Sequence, residues 1–270
     1  MMHKSQFKNR NFESRKKGKR AQVTLFVIIA LAIVVGVVTF FSLQKVLKPI
    51  GRELTSKESF ESCINNQVSI IDSLLLRQGG ISNPKHYLFY QGFKASYLCY
   101  TEEYAKPCIN QQPLLKEHIE KELAALSYAN ISYCINKEKT NLLNKGYSQE
   151  NIKFSEFRKD DISVKLLLGK ILVNLNLSLT TIKEEKSEKI DGFKTTVKSP
   201  AYEYAFLAGK IINSEIADAD FNNALYTFLN RNMFVDKIRS NDYILYQLKN
   251  RNSDKVFIFL IRNYAIPPGV

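Results

Sequence analysis

A chain of 270 residues with 45% hydrophobic and 24% charged side chains holds enough apolar material for one large or two small domains. Its formal charge of +13 does not make it a nucleic-acid binder: residues 1–20 carry +7 of that charge, and no RNP, zinc-finger or other recognition motif accompanies it. A basic block beside an apolar run sets membrane orientation instead.

The basic tail, residues 1–20, contains Lys4, Lys8, Arg10, Arg15, Lys16, Lys17, Lys19 and Arg20 against one acid, Glu13. Residues 21–44, AQVTLFVIIALAIVVGVVTFFSLQ, carry no charge. As a helix this run is about 36 Å long, enough to cross a hydrocarbon core of about 30 Å. In lipid a helix satisfies every backbone group internally, which outweighs the weak aqueous helix propensity of Val and Ile. A removable signal peptide has a shorter apolar region and a small-residue cleavage site, and Leu43-Gln44-Lys45-Val46 offers none. Only Lys45, Lys48, Arg52 and Lys57 follow the run closely, so the tail is expected in the cytoplasm and the C-terminal bulk outside. The expected location is therefore the cytoplasmic membrane, crossed once, with membrane lipid as the first partner. Ala32 and Gly36 are spaced as a small-xxx-small pair suited to close helix approach.

A juxtamembrane linker, 45–54, leads to an extracytoplasmic α+β domain, 55–270. It divides into a helical part (55–146), a β-rich part (147–198) and an α+β part (199–270). Thr55-Ser56-Lys57-Glu58 has capping-box spacing, and Phe60, Cys63, Ile64, Val68, Ile71, Leu74 and Leu75 then share one helical face. Gly79-Gly80 can end that helix. A second helix is predicted from Pro113, with Leu115, Ile119, Leu123, Leu126, Asn130 and Cys134 on its face. Ile162, Val164, Leu166 and Leu168 alternate, as do Ile171, Val173, Leu175, Leu177 and Leu179, so two strands are predicted around a Gly169-Lys170 turn of type II′. Strands near 152–158 and 190–198 should flank them, with Lys183–Lys189 as a solvated loop. Helical spacing returns at Ala205, Ala208, Ile212, Ile216 and Ala219, with a shorter helix over 221–231. A last hairpin joins Asp242–Leu248 to Lys255–Arg262, and Val256-Phe257-Ile258-Phe259-Leu260-Ile261, apolar on both faces, should be an interior strand.

Cys63, Cys99, Cys108 and Cys134 allow three pairings. No CxxC exists, so a cysteine metal site is disfavoured, while an exported domain can hold disulfides. Cys99 and Cys108 bracket a short polar loop, and Cys63 and Cys134 lie on the two helix faces. Cys99–Cys108 and Cys63–Cys134 are the expected bonds, against four free buried thiols.

Little material for catalysis is present. His3, His86 and His118 are the only histidines, so a Ser-His-Asp triad or a His-rich zinc site is poorly supplied. Ser82-Asn83-Pro84-Lys85 matches SxxK, but Pro84 and the Gly-Gly before it suggest a loop rather than the helical turn that chemistry needs. Asp218-Ala219-Asp220-Phe221-Asn222 opens like a calcium loop, yet Asn223 replaces its Gly and Leu229 its Glu, and helix capping by Asp220 fits better. Asp160-Asp161 is most simply a turn. No phosphate loop appears; neither a cofactor nor a metal is expected, and no enzyme activity. Two N-x-S sequons begin at Asn130 and Asn176. The densest unusual feature is aromatic: Tyr87, Phe89, Tyr90, Phe93, Tyr97, Tyr100 and Tyr104. These can form a sugar- or protein-binding surface, or simply belong to a long loop packed on the helices and held by Cys99–Cys108.

The junction Gly18-Lys19-Arg20-Ala21-Gln22-Val23-Thr24-Leu25-Phe26 resembles the class III signal segment of archaeal type IV pilin-like proteins. That resemblance implies cleavage between Arg20 and Ala21 and packing of the exposed helix in a filament. Leu25 stands where many pilins carry Glu. AQVTLFVIIA, Glu61-Ser62-Cys63, Gln78-Gly79-Gly80, the later helix with Cys134 and the final Phe/Ile-rich strand also look like uncharacterised single-span envelope proteins of small-genome archaea. This second resemblance implies the Cys63–Cys134 pairing and no known activity. The expectation is a membrane-anchored surface structural or interaction protein, pilin-like in the first resemblance, whose partners are a second copy or another envelope protein. The alternative is an anchored module that binds carbohydrate or peptide through the aromatic segment.

Overall fold

The computed structural model describes residues 29–37, 55–104, 106–184, 186–217 and 220–263. The chain divides into two units, Met1–Glu53 and Leu54–Val270. In the first, residues 29–37 are helical and exposed (α1), which puts Ala32 and Gly36 one turn apart. The rest of the predicted span, the basic tail, the linker, and with them Arg20 and Ala21, lie outside the described residues. Among the described residues no helix is long and apolar enough to cross a membrane.

The second unit is α+β. Its first helix, α2 (Ser56–Arg77), begins at the predicted capping box: Glu58 N–H donates to Thr55 Oγ1 at 3.3 Å, and Thr55 N–H to Glu58 Oε2 at 3.1 Å. Phe60, Ile64, Val68, Ile71 and Leu75 are buried as the spacing requires, but Leu74 is exposed. Gly79 and Gly80 both have positive φ. A Cβ on Gly79 would stand 2.2 Å from Ser96 Oγ, so glycine also lets the chain touch the sheet behind it.

The second long helix, α3, runs from Leu115 to Asn144 and starts two residues later than predicted. Of the predicted face, Leu115, Ile119, Leu123 and Cys134 are buried, but Leu126 is exposed and Asn130 half-buried; the buried stripe runs instead through Leu115, Ile119, Leu123, Ser127, Ile131 and Ile135. Steps of four overshoot a 3.6-residue turn, so this stripe rotates by about 160° between Leu115 and Ile131. Along its length α3 packs against α2, β5 and α4. The two helices are antiparallel: Ser56 donates to Glu138 at 2.6 Å, while Gly80 lies against Ile119.

The first sheet has the order β1-β2-β10-β9-β8: β1 (Tyr87–Tyr90), β2 (Phe93–Tyr100), β10 (Val256–Arg262), β9 (Ile244–Asn250) and β8 (Met233–Arg239). The two-residue strand β3 (Ile109–Asn110) extends the β1 edge by pairing with the end of β2. All pairs are antiparallel except β2–β10. The aromatic stretch is therefore a hairpin, not a loop. Gln91 and Gly92 both have positive φ, the requirement of a type I′ turn. Strand β10 is interior, as its two apolar faces demand. Strand β8 was not foreseen, because Lys237, Arg239 and Asp236 mask its alternation.

The second sheet is built on a long strand, β6 (Lys170–Lys183). β7 (Lys186–Lys198) pairs along one side; β5 (Ile162–Leu167) and β4 (Ile152–Phe154) follow one another along the other. The turn falls one residue earlier than predicted, at Leu168-Gly169, with only Gly169 at positive φ, so it is not type II′. Leu168 is consequently exposed at the tip. The charged run Lys183–Lys189 lies mostly in paired strand rather than in a loop. Ser187 to Lys189 face solvent while keeping their ladder bonds.

Helices α4 (Ala201–Ala217) and α5 (Asn223–Leu229) complete the unit. Tyr204, Ala205, Leu207, Ala208, Ile211 and Ile212 of α4 are buried in the common core with both sheets. Ala219 lies outside the described residues. Helix side chains seal three sheet edges, which would otherwise leave unpaired backbone groups. Asn65 and Glu61 of α2 bond the main chain of β7 at Thr196 and Lys194. Glu120 of α3 accepts Leu166 N–H of β5 at 2.7 Å. Asn223 and Thr227 of α5 bond both main-chain groups of Val235 in β8.

Two disulfides join Cys63 to Cys134 and Cys99 to Cys108, with Cα separations of 5.9 and 5.3 Å. The first ties α2 to α3. The second closes the short loop between β2 and β3.

Candidate interaction surface

Strand β10 separates two apolar layers. Phe257, Phe259 and Ile261 enter the main core, whereas Ile258 and Leu260 point to the opposite face and meet Ala95 and Leu245. Among the described residues no helix side chain packs on that second face. Leu88, Tyr90, Tyr97, Tyr243 and Val256 lie over it instead, each partly exposed.

The tyrosines are held in place. Gln247 Nε2 donates to the Tyr90 hydroxyl at 2.7 Å. Tyr97 meets Tyr100 edge-on with ring centroids 5.3 Å apart, and Tyr100 stacks on His86 at 4.1 Å. The Tyr100 hydroxyl donates to Glu102 Oε1 at 3.0 Å and accepts from Arg262 Nη1 at 3.3 Å. Burial pushes the Tyr97 phenol above its ordinary value, with Arg262 pulling the other way. Burial and Glu102 together push Tyr100 up, so both rings stay neutral. The face thus offers fixed aromatic surface and neutral hydroxyls, with Arg262, Glu102 and Asp242 beside it.

The seven predicted aromatics do not form one cluster. Tyr90, Tyr97 and Tyr100 belong to this face. Tyr87 and Phe89 pair with Ser96 and Lys94 and so point to the other side of the hairpin, 5.4 Å apart. Phe93 lies under the Arg77 guanidinium at 5.0 Å. Tyr104 is 76% exposed in the loop between β2 and β3. Sequence reasoning missed Tyr243, Gln247, His86 and Arg262 as members. The alternation Tyr243, Leu245, Gln247 along the predicted strand could have revealed the first two.

No family model, curated protein or solved structure matches this chain.

Other polar groups are built into the core. Glu215, at the end of α4, is buried and accepts from Lys237 at 2.6 Å, from Phe221 N–H at 2.8 Å and from the Tyr246 hydroxyl. Burial, then Glu215, raises the Tyr246 phenol. Lys237 also bonds Asp220, holding that carboxyl below its ordinary range. Asp220 is therefore an ion-pair partner; the cap of α5 is Asn222, which accepts Leu225 N–H at 2.9 Å. Asp72 meets Lys255 at 2.6 Å, and burial outweighs that lysine to raise the carboxyl's pKa. His118 lies on α3 facing Glu122 at 3.6 Å. Ser82 to Lys85 are irregular chain, which does not place Ser82 and Lys85 one helical turn apart. Among the described residues no three His, Cys, Asp or Glu side chains are placed to hold a metal ion.

Proposed function

We propose that the chain is a membrane-anchored surface protein of the structural or interaction kind, acting by contact rather than catalysis. In this reading the uncharged run 21–44 anchors it, and the α+β unit presents the open tyrosine face of the first sheet to a second copy or another envelope protein. The observation that carries the reading is the layer formed by Tyr90, Tyr97 and Tyr243 over Ala95, Leu245, Ile258 and Leu260. Partly exposed, ordered tyrosines on an apolar floor contribute large contact area at low entropic cost. Both disulfides agree with an oxidising location.

Photo-crosslinking in cells tests the face. A benzophenone side chain at position 97 or 243 should give covalent adducts to an envelope protein or a second copy, and the same group at Lys159 should give none. Equal adducts from all three positions, or none from 97 and 243, overturn the assignment. Sequencing the mature N-terminus decides the pilin-like part: chains that begin at Ala21 and occur in filaments support it, and an intact N-terminus without filaments leaves simple anchoring.

A further inference from the structure

The edges of the two sheets are treated unequally. Side chains of α2, α3 and α5 bond the outward main-chain groups of β7, β5 and β8. The outer half of β7, Lys186 to Asp191, is studded with charge, which discourages a further strand. Among the described residues strand β1 has neither protection. Its residues, Tyr87-Leu88-Phe89-Tyr90, carry no charge and no proline.

Which groups face outward follows from the ladder. Tyr97 N–H donates to His86 O at 3.0 Å, and bonded positions alternate along an antiparallel pair. With the register Tyr87↔Ser96 and Phe89↔Lys94, His86, Leu88 and Tyr90 turn their main-chain groups toward β2. Tyr87 and Phe89 turn theirs away, so the edge offers two N–H donors and two C=O acceptors. Their side chains are 40% and 65% exposed. The surroundings are basic. Lys94 reaches across the strand so that its ammonium lies 4.8 Å from the Tyr87 ring, Lys85 precedes β1, and Arg77 lies over Phe93. None of these three cations is in an ion pair among the described residues.

We propose that β1 accepts an extended polypeptide segment as an added strand, and that this segment carries acidic side chains. Main-chain bonds to Tyr87 and Phe89 supply the pairing; Lys94, which shares a face with Tyr87 and Phe89, and the neighbouring Lys85 and Arg77 select carboxylates; and the alternate apolar side chains fall on the opposite face, beside Leu88. A second copy is the poorer occupant, because pairing β1 with itself sets two groups of these cations against each other. The edge is separate from the tyrosine face, so either can fail alone.

The test uses the full-length chain in detergent and three capped, labelled nine-residue peptides. The first alternates Glu and Val, the second replaces Glu by Lys, and the third is the first with alternate backbone nitrogens methylated. The Glu-Val peptide should bind by fluorescence anisotropy and slow hydrogen exchange at the Tyr87 and Phe89 amides. Affinity should fall by roughly tenfold or more for the other two peptides. Phe89→Pro removes the outward N–H together with the ring and should abolish binding, whereas Phe89→Ala, which keeps the N–H, should retain most of it. Lys94→Glu, which leaves the backbone intact, should weaken the Glu-Val peptide and favour its Lys counterpart. Tyr97→Ser should change nothing here. Equal binding of the methylated peptide, unchanged exchange at positions 87 and 89, or no binding at roughly 1 mM peptide overturns the proposal. So does dimerisation that protects the same two amides, which assigns the edge to a second copy.

Discussion

Removing the two disulfides separately should cost unequal amounts. Cys63–Cys134 spans 71 positions and Cys99–Cys108 spans 9. If a cross-link acts mainly by restricting the unfolded chain, the first contributes about 4.4 kcal/mol and the second about 2.6 kcal/mol at 25 °C. Replacing each pair with alanines avoids burying hydroxyls, since Cys99, Cys108 and Cys134 are all buried. Urea unfolding of the full-length chain followed by far-UV circular dichroism gives the comparison, tryptophan fluorescence being ruled out by a sequence with Trp 0. The Cys63→Ala/Cys134→Ala variant should be less stable than Cys99→Ala/Cys108→Ala by about 1.8 kcal/mol. Equal losses, or a larger loss from the short loop, refute the chain-entropy reasoning and point to local packing around the hairpin.

Lys237→Met should destabilise the protein by about 3–5 kcal/mol in urea unfolding, because it leaves the Glu215 carboxylate buried without its cation. Gly79→Ala should lower the melting temperature by an amount equivalent to about 1–3 kcal/mol, since φ of +71° and the Ser96 contact both oppose a Cβ. Phe259→Ala, in the fully buried inner layer of β10, should cost about 3–5 kcal/mol. The acid limb has a defined origin. Lys237 holds Asp220 below its ordinary value of 3.8; burial pushes Glu120 up, but Lys116, Leu166 N–H and Lys165 overcome it and leave this carboxyl below 4.5. Depressed carboxyls stabilise the fold above those values and lose the contribution as pH falls through the depressed ones. Stability should therefore drop as the pH is lowered below about 4, and Asp220→Asn with Glu120→Gln should flatten that drop.

Much of the fold is legible where a single physical requirement dominates. The Thr55 capping box, the i, i+4 stripe of α2, the alternation of β5 and β6 and the two-faced apolar run of β10 each admit one local solution. Prediction failed where two requirements compete. Tyr and Phe at both odd and even positions between 87 and 100 hide a period of two, so the segment reads as a loop. On α3, Leu126 is more apolar than Ser127, yet only Ser127 fits the rotating contact with its neighbours. Strand β8 was invisible because Lys237 is buried by partners distant in sequence, Glu215 above all. The tyrosine surface was half legible: composition marked the segment, but only the sheet order brings Tyr243 and Arg262 beside Tyr97 and Tyr100.

Topology in intact cells tests the central claim most directly. With tags at both ends, external protease should remove the C-terminal tag while the N-terminal one stays protected, and the protected fragment should remain with the membrane after alkaline washing. A C-terminal tag that survives until the cells are broken, or a full-length chain that alkaline washing releases, contradicts an anchored, outward-facing domain.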